Sequence, residues 1–480
     1  MDNTMIIIFI AYVLLSMFLA LVVMKKNKTV HDMLVAKNGL SVILIVPLLM
    51  SEAVGGSGTV GSATEAMSTI GMAAVWTIWG IAIGYFCFRL FFGKFYRVLS
   101  VTRGIISVPS AYEARFDKRT KIVLLIVVCV VYACLFALQP VAAAAVLAPM
   151  FGVDRATMII VLGILFIIIA CLGGLKGMAS MNRLHAFVMV VGLGIVAFSA
   201  VNYGGGWKAV LAELPENYMN PFNPGMGQVL VWVLSGLLSQ MSSAVIATVI
   251  IGGKTYNDVK HGVNITCVLL FIFALFPVII GIAAKAVMPD IDPATALYSM
   301  SAQVSPVIGG IAVVAVLAAI FSTAPALLLI VTTTVIQDLY KSFVKPTATD
   351  KETMAMSRIV TVVVGLLAVF MATKTTSIFK QTVQIFQIRA IAAVVLLLSL
   401  AWPRVDSRAG FWGILSGGTV AVVWYFMENP PLVSDPLIPS LIVGVIVTLV
   451  LTLCSKKKVS DGYQYYLELQ EEYKSLKNQT

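Results

Sequence analysis

Ser51-Glu52-Ala53-Val54-Gly55-Gly56-Ser57-Gly58-Thr59-Val60-Gly61 interrupts an apolar stretch that otherwise reads as one membrane helix, from about residue 41 to about residue 70. Its glycines weaken a helix because each gains backbone freedom when the helix unwinds. An unwound backbone with free carbonyls is tolerated at membrane depth only where it lines a cavity or holds something. The break therefore points to an ion or substrate site near the bilayer midplane, and a transporter is the first reading.

Working outward, the rest of the chain has the composition of a membrane protein. It has 480 residues, 60% of them hydrophobic and 11% charged, with a mean hydropathy of +0.98. Soluble domains carry about 25% charged residues, so soluble classes are excluded. Roughly thirteen apolar stretches are long enough to cross, the first near residues 5 to 24 and the last near 438 to 455. The first follows Met1-Asp2-Asn3-Thr4-Met5 without a basic n-region, and it reads as a retained span.

Basic residues report orientation, because Lys and Arg gather in cytoplasmic loops. Roughly 26 of the 33 fall on one side, among them Lys25, Lys26, Lys28, Arg97, Arg103, Arg115, Lys118, Lys254, Arg404 and Lys456 to Lys458. Glu213, Glu216, Asp290, Asp292, Glu428 and Asp435 fall in the opposite loops. This predicts an integral protein of the plasma (inner) membrane with its N-terminus outside and its C-terminus cytoplasmic. The +11 net charge then belongs to the lipid-facing cytoplasmic surface and needs no nucleic acid. All six cysteines lie in or beside apolar spans and read as packing residues.

Setting the first span aside, the next ten divide into two sets of five, and an odd number of crossings gives the second set the opposite orientation. The predicted fold is an all-α polytopic membrane protein of about 13 transmembrane helices with a 5+5 inverted-repeat core and extra helices at both ends. The chain is one transporter domain, residues 1–480, with repeats at about 41–203 and 227–402 and a cytoplasmic tail at 456–480. Each repeat opens with an interrupted helix. The second interruption is Leu234-Ser235-Gly236-Leu237-Leu238-Ser239-Gln240-Met241-Ser242-Ser243, whose small residues also suit close helix packing.

The ninth span contains Ala318-Ala319-Ile320-Phe321-Ser322-Thr323-Ala324-Pro325. Pro325 lacks an N–H, so the Phe321 carbonyl loses its helical partner and the helix can deform there. Ser322 and Thr323 put hydroxyls at that point, available to a small hard cation or bonded back to their own turn.

On these residues the chain resembles the sodium:solute symporter family, whose members share the inverted-repeat fold of a bacterial leucine transporter. The resemblance runs from the first span to about Gly418. It rests on Ala319 to Thr323 followed by Gln337-Asp338-Leu339-Tyr340, on Ser107 to Phe116, and on Gly173-Gly174-Leu175-Lys176. It implies a sodium site made by main-chain oxygens of Ser51, Val54 and Ala319 and the side chains of Ser322 and Thr323, with Na⁺ as coupling ion and no other cofactor. Asn182 stands where the family often has Asp, and Pro325 and Ala326 stand where two-sodium carriers place hydroxyls. Both departures remove oxygen ligands and predict a single coupled sodium. The glycine-rich helix is most similar to the choline-transporter branch.

Charges inside the spans are costly and so are functional candidates. Arg389, near the middle of the eleventh span, either anchors a substrate carboxylate or pairs internally with Glu52 or Glu65. The candidate substrate-binding residues are Glu52, Gly55, Gly56, Ser57, Glu65, Ser239, Gln240 and Arg389. They favour an organic acid or amino acid, whereas a choline-like cation would use Glu52 or Glu65 with Trp76, Trp79 or Trp232. His31, His185 and His261 sit in loops or at span ends with no metal-ligand or nucleophile–base spacing, so no enzyme is expected. The remaining alternatives are a proton-coupled or uncoupled carrier and a non-transporting membrane sensor. The tail around Tyr463, Tyr466 and Tyr473 forms a helix that docks on the transporter or at the interface, and a small membrane partner subunit is possible.

Overall fold

Without water to satisfy backbone groups, this much apolar sequence resolves into helices. The computed structural model describes residues 3–24, 39–172, 175–375, 377–427 and 435–478, and no strand occurs among them. Lys25, Lys26, Lys28, His31, Gly173, Gly174 and Glu428 lie outside the described residues.

The first run folds as α1 (Asn3–Met24). The interrupted span follows as α2 (Val42–Val54), a π-helical turn at Ser57–Gly61 and α3 (Ser62–Ser68), its halves bent by 57°. A 3-10 turn, Gly71–Val75, leads into α4 (Trp76–Phe91) and α5 (Gly93–Arg103). The short α6 (Val108–Arg115) starts where the Ser107 hydroxyl accepts from the Ser110 N–H, with Pro109 in its first turn.

Three long helices come next, α7 (Lys118–Phe151), α8 (Arg155–Leu172) and α9 (Leu175–Tyr203), then the short α10 (Trp207–Ala212). The second interrupted span is α11 (Met226–Gln240) and α12 (Ala244–Gly252), bent by 43°. After it run α13 (Tyr256–Phe273), α14 (Leu275–Val287), the 3-10 turn Pro293–Thr295 and α15 (Ala296–Val304). The chain then enters α16 (Pro306–Thr334), which continues as a π-helix over Val335–Val344. The last helices are α17 (Asp350–Ala372), opened by a Thr349/Glu352 capping box, α18 (Ile378–Ala401), α19 (Ser407–Phe426), α20 (Leu437–Leu453) and α21 (Asp461–Asn478).

Among the described residues, seven helices are long and apolar enough to cross a membrane, or nine when each bent pair counts as one span. Burial separates their roles. The apolar window of the α16 span is 89% buried inside the protein, against 28% for α17, so α16 is central and α17 presents its side chains outward. The outward face carries Phe198, Leu367 and Phe370, an apolar surface suited to lipid.

One end of each bent span is clipped to the other. Leu40 donates its N–H to the Gly252 carbonyl at 3.0 Å and accepts from the Lys254 N–H at 2.9 Å, a parallel bridge, while Arg97 Nη1 donates to the Gly253 carbonyl at 2.9 Å. The tail helix packs beneath α5. Arg103 meets Glu472 at 2.9 Å, the Phe95 and Tyr466 rings lie 5.2 Å apart edge to face, and Leu469 is fully buried.

Candidate functional site

The first break is shaped by side chains that are missing. A Cβ on Gly55 would lie 2.8 Å from Gln139 Oε1 and 2.9 Å from Thr323 Cγ2, and one on Gly56 would lie 2.3 Å from Ala142 Cβ. Only glycine lets α7 and α16 approach the unwound backbone this closely. The Gly56 N–H, freed by the unwinding, donates to Gln139 Oε1 at 2.8 Å.

Across the break, α16 runs through Pro325 without an interruption of the helix. Ser322 Oγ donates to the Ala319 carbonyl at 2.7 Å, bonding back to its own turn. Thr323 Oγ1 reaches both the Ala319 carbonyl, at 2.7 Å, and the Ser51 carbonyl of α2. Ser51, Ala319, Ser322 and Thr323 thus come together as one cluster of neutral oxygens. Val54 ends α2 one residue before Gly55, which abuts Thr323. Beside the cluster lies a cavity of about 20 Å³, lined by Ser51, Glu52, Thr248 and Thr323 among others, with room for a particle the size of one water.

One residue further on, the chain changes character. The Glu52 carboxylate accepts from Tyr85 at 2.7 Å on one oxygen and from Ser243 at 2.8 Å and Tyr132 at 3.2 Å on the other. Arg389 faces it with Nη2 3.8 Å from Glu52 Oε1, the two side chains 1% and 4% exposed. The guanidinium is oriented by Ser239 Oγ, 2.6 Å from Nε, and by the Tyr132 hydroxyl, 2.9 Å from Nη1. Tyr132 also accepts from the Ala244 N–H at 2.9 Å, and Ser243 accepts from the Val245 N–H at 3.1 Å, so the network caps the start of α12. Five elements converge here: α2, α4, α7, α18 and the junction of α11 with α12.

The family model for the sodium:solute symporter family matches residues 33–417. The chain belongs to the sodium:solute symporter family. Members of this family are secondary transporters, not enzymes, and the chain is a sodium-coupled symporter of a small organic solute, integral to the membrane. It is similar to the osmoregulated proline transporter of Bacillus subtilis (strain 168), 21% identical over 92% of this chain and 93% of that one. It is likewise similar to the sodium/proline symporter of Escherichia coli (strain K12), 22% identical over 84% of each chain. Among solved structures, a Na⁺-coupled sialic acid symporter matches with a TM-score of 0.79 at 16% identity, covering 95% of this chain and 98% of that one. The nucleobase-cation symporter Mhp1, in a closed conformation, matches at 0.61 and 14% identity over 91% and 99%. At such identities the two structures speak for the fold alone.

In this symporter the remaining candidate residues do not all join one site. Gly55 and Gly56 form the break, and Ser57 lines a second, smaller cavity of about 10 Å³ with Thr77, Thr382, Phe379 and Phe386. Gln240 is buried and its Oε1 has no hydrogen-bond partner among the described residues. Glu65 lies apart, accepting from Ser377 at 3.3 Å. Trp76 and Trp79 donate to the Pro221 and Phe271 carbonyls, and Trp232 packs edge to face on Phe379, so none of the three tryptophans sits on Glu52 or Glu65. His185 is buried inside α9, 2.6 Å from the Tyr12 hydroxyl, because that helix starts ten residues before it and not at a loop.

Tyr85, Tyr132, Ser243 and Gln139 were not singled out from sequence. The two tyrosines are polar-tipped aromatics inside apolar helices, where a buried hydroxyl needs a partner, and that signal was available. Gln139 is a lone amide in a run of alanine and valine, equally conspicuous.

Proposed function

We propose that the chain imports its solute on a sodium gradient, with the ion held by the carbonyls of Ser51, Val54 and Ala319 and the hydroxyls of Ser322 and Thr323. The observation that carries this reading is Thr323 Oγ1 bridging the Ser51 and Ala319 carbonyls, with Ser322 on the same carbonyl. When sodium enters, the two hydroxyls turn their protons away and offer lone pairs, joining the carbonyls as hard neutral ligands. Asn182 donates to Ser51 Oγ at 3.2 Å, an amide N–H where a further cation would need an acceptor, which favours one sodium per cycle.

The solute binds between the two bent spans, against Glu52, Gly55, Gly56, Ser57, Ser239, Gln240 and Arg389, and is an organic acid or amino acid. Curated relatives named for proline and pantothenate, both carboxylates, support that class. About 13 spans, a 5+5 inverted repeat at 41–203 and 227–402, an outside N-terminus and a cytoplasmic tail at 456–480 complete the reading. Sodium stabilises one of two arrangements of the bent spans against the rest of the bundle, and that difference in affinity couples ion to solute.

Purified full-length chain in proteoliposomes tests it. Uptake is expected to require Na⁺ and not K⁺ or a proton gradient, and Ser322→Ala is expected to raise the sodium concentration for half-maximal uptake. Sodium-independent uptake unaffected by Ser322→Ala refutes the site, and a reversal potential giving two sodium ions per solute refutes the stoichiometry.

A further inference from the structure

We infer that the chain has a second solute site in an outer vestibule, where Arg155 takes the carboxylate and Asp292 the ammonium of a small zwitterionic amino acid on its way to the first break. The inference rests on the sodium-symport reading.

Space comes first. The cavities beside Glu52 and Ser57 hold about 20 Å³ and 10 Å³, room for an ion or a water but not for a solute. A third cavity, open on one side, holds about 330 Å³, the size at which small organic ligands bind. One of its walls is the end of α7, with Ala145, Ala148, Pro149 and Gly152. Ala142, whose methyl lies where a Cβ on Gly56 would fall, is on the same face, since positions 142, 145 and 149 follow the i, i+3, i+7 spacing. At 1.5 Å of rise per residue, the wall begins only about 5 Å along α7 from the break. Another wall is the 3-10 turn Pro293–Thr295, which packs on α7, on α3 and on the π-helical turn of the first bent span. The vestibule thus lies directly against the second half of that span.

Its place in the membrane suits entry. The long α7 opens with Lys118, Arg119 and Lys121, and the cavity is at its far end. With the basic side cytoplasmic, the cavity faces outward, where an importer meets its solute.

The lining sets the class of ligand. Small side chains leave the space, and two opposite charges reach it from different segments: Arg155 opens α8, and Asp292 caps the 3-10 turn. Both residues are exposed, and they form no ion pair with each other. Asp292 Oδ1 accepts from the Ala294 N–H at 2.9 Å, which leaves Oδ2 for a ligand, and Arg155 has no protein acceptor among the described residues. A carboxylate suits the arginine fork and an ammonium suits the aspartate, with the apolar body of the amino acid against the alanines and Pro149. A monocarboxylate would leave Asp292 unused, and a quaternary amine would leave Arg155 unused. Exposure to water keeps each contact weak, so the site captures solute for the break without trapping it.

The test uses the full chain in intact cells, with Val153→Cys placing a thiol at the cavity wall and a membrane-impermeant thiol reagent added outside. Labelling is read as a mass shift of the purified protein against the parent chain, which discounts the six native cysteines. Proline and alanine are the zwitterionic probes, propionate and choline the singly charged ones, all at equal concentration. At least one zwitterion is expected to slow labelling severalfold, in K⁺ as well as Na⁺, because no proposed sodium ligand except Thr323 or Ser51 deep in the first cavity is near a cation there. Arg155→Gln and Asp292→Asn are each expected to remove the protection, although Asn still caps the turn, and Arg155→Lys is expected to keep it. In sodium-driven uptake of the protecting zwitterion, Arg155→Gln is expected to raise KM about threefold with kcat and sodium half-saturation unchanged, a split that a merely structural role would not produce. A thiol that the reagent does not reach, protection absent or seen only in Na⁺, or protection by propionate or choline as good as by the zwitterions overturns the inference and leaves the symport reading intact. Uptake without sodium dependence overturns the symport reading, whatever the labelling shows.

Discussion

The two bent spans solve one problem with opposite chemistry. Unwinding a helix inside a membrane frees backbone donors and acceptors that need partners. At the first break the chain deletes side chains, so neighbours supply the partners: Gln139 takes the Gly56 N–H and Thr323 takes the Ser51 carbonyl. At the second break the chain adds short hydroxyls of its own. Ser242 donates to the Ser239 carbonyl at 3.0 Å and to the Arg389 carbonyl at 3.1 Å, and Ser243 caps the Val245 N–H. The first strategy leaves a cluster of neutral oxygens, the place proposed for sodium, and the second leaves hydroxyls that hold a charged pair in place. Ser51 and Glu52 lie on either side of that divide, joined by one peptide bond.

If the difference is real, the first break is the more fragile. Gly55→Ala and Gly56→Ala are expected to abolish uptake, because each new methyl lands within 3 Å of atoms on α7 or α16, measurable as lost sodium-driven flux with protein still in the membrane. Thr323→Val keeps the shape and removes the bridging oxygen. Sodium half-saturation is expected to rise about tenfold, roughly 1.4 kcal/mol, with little change in solute affinity at saturating sodium. Gln139→Leu leaves the Gly56 N–H buried without an acceptor, at about 1–3 kcal/mol, and is expected to lower the melting temperature and weaken sodium binding together. Ser243→Ala is the smallest. It removes one cap and one of three donors to Glu52, so about 1 kcal/mol of stability is lost while sodium half-saturation stays put. A larger sodium effect from Ser243→Ala than from Thr323→Val would erase the contrast between the breaks.

Much of the architecture was legible because the membrane enforces simple rules. Runs of apolar residues became helices, and both interruptions proved to be bends. The second bend falls at Met241 to Ser243, the end of the polar stretch quoted for it, since Ser243 supplies a cap that Ser235 and Ser239 do not. The Ser322–Thr323 cluster was reachable through its resemblance to a family motif. Composition did not predict its meeting with Ser51, which depends on how α16 packs against α2. The charge network was only half visible. Arg389 and Glu52 stand out as intramembrane charges, but their choice of each other over Glu65 is a tertiary fact, as is the gathering of Tyr85 and Tyr132 from separate helices around one carboxylate. Pro325 costs α16 one backbone bond without ending it, in a helix whose apolar window is 89% buried.

The backbone clip between Leu40 and the end of α12, guarded by Arg97, carries a mechanical corollary. Two half-rods yoked at their tips cannot splay apart at that end, so any rocking of the bent spans moves them there as a single lever.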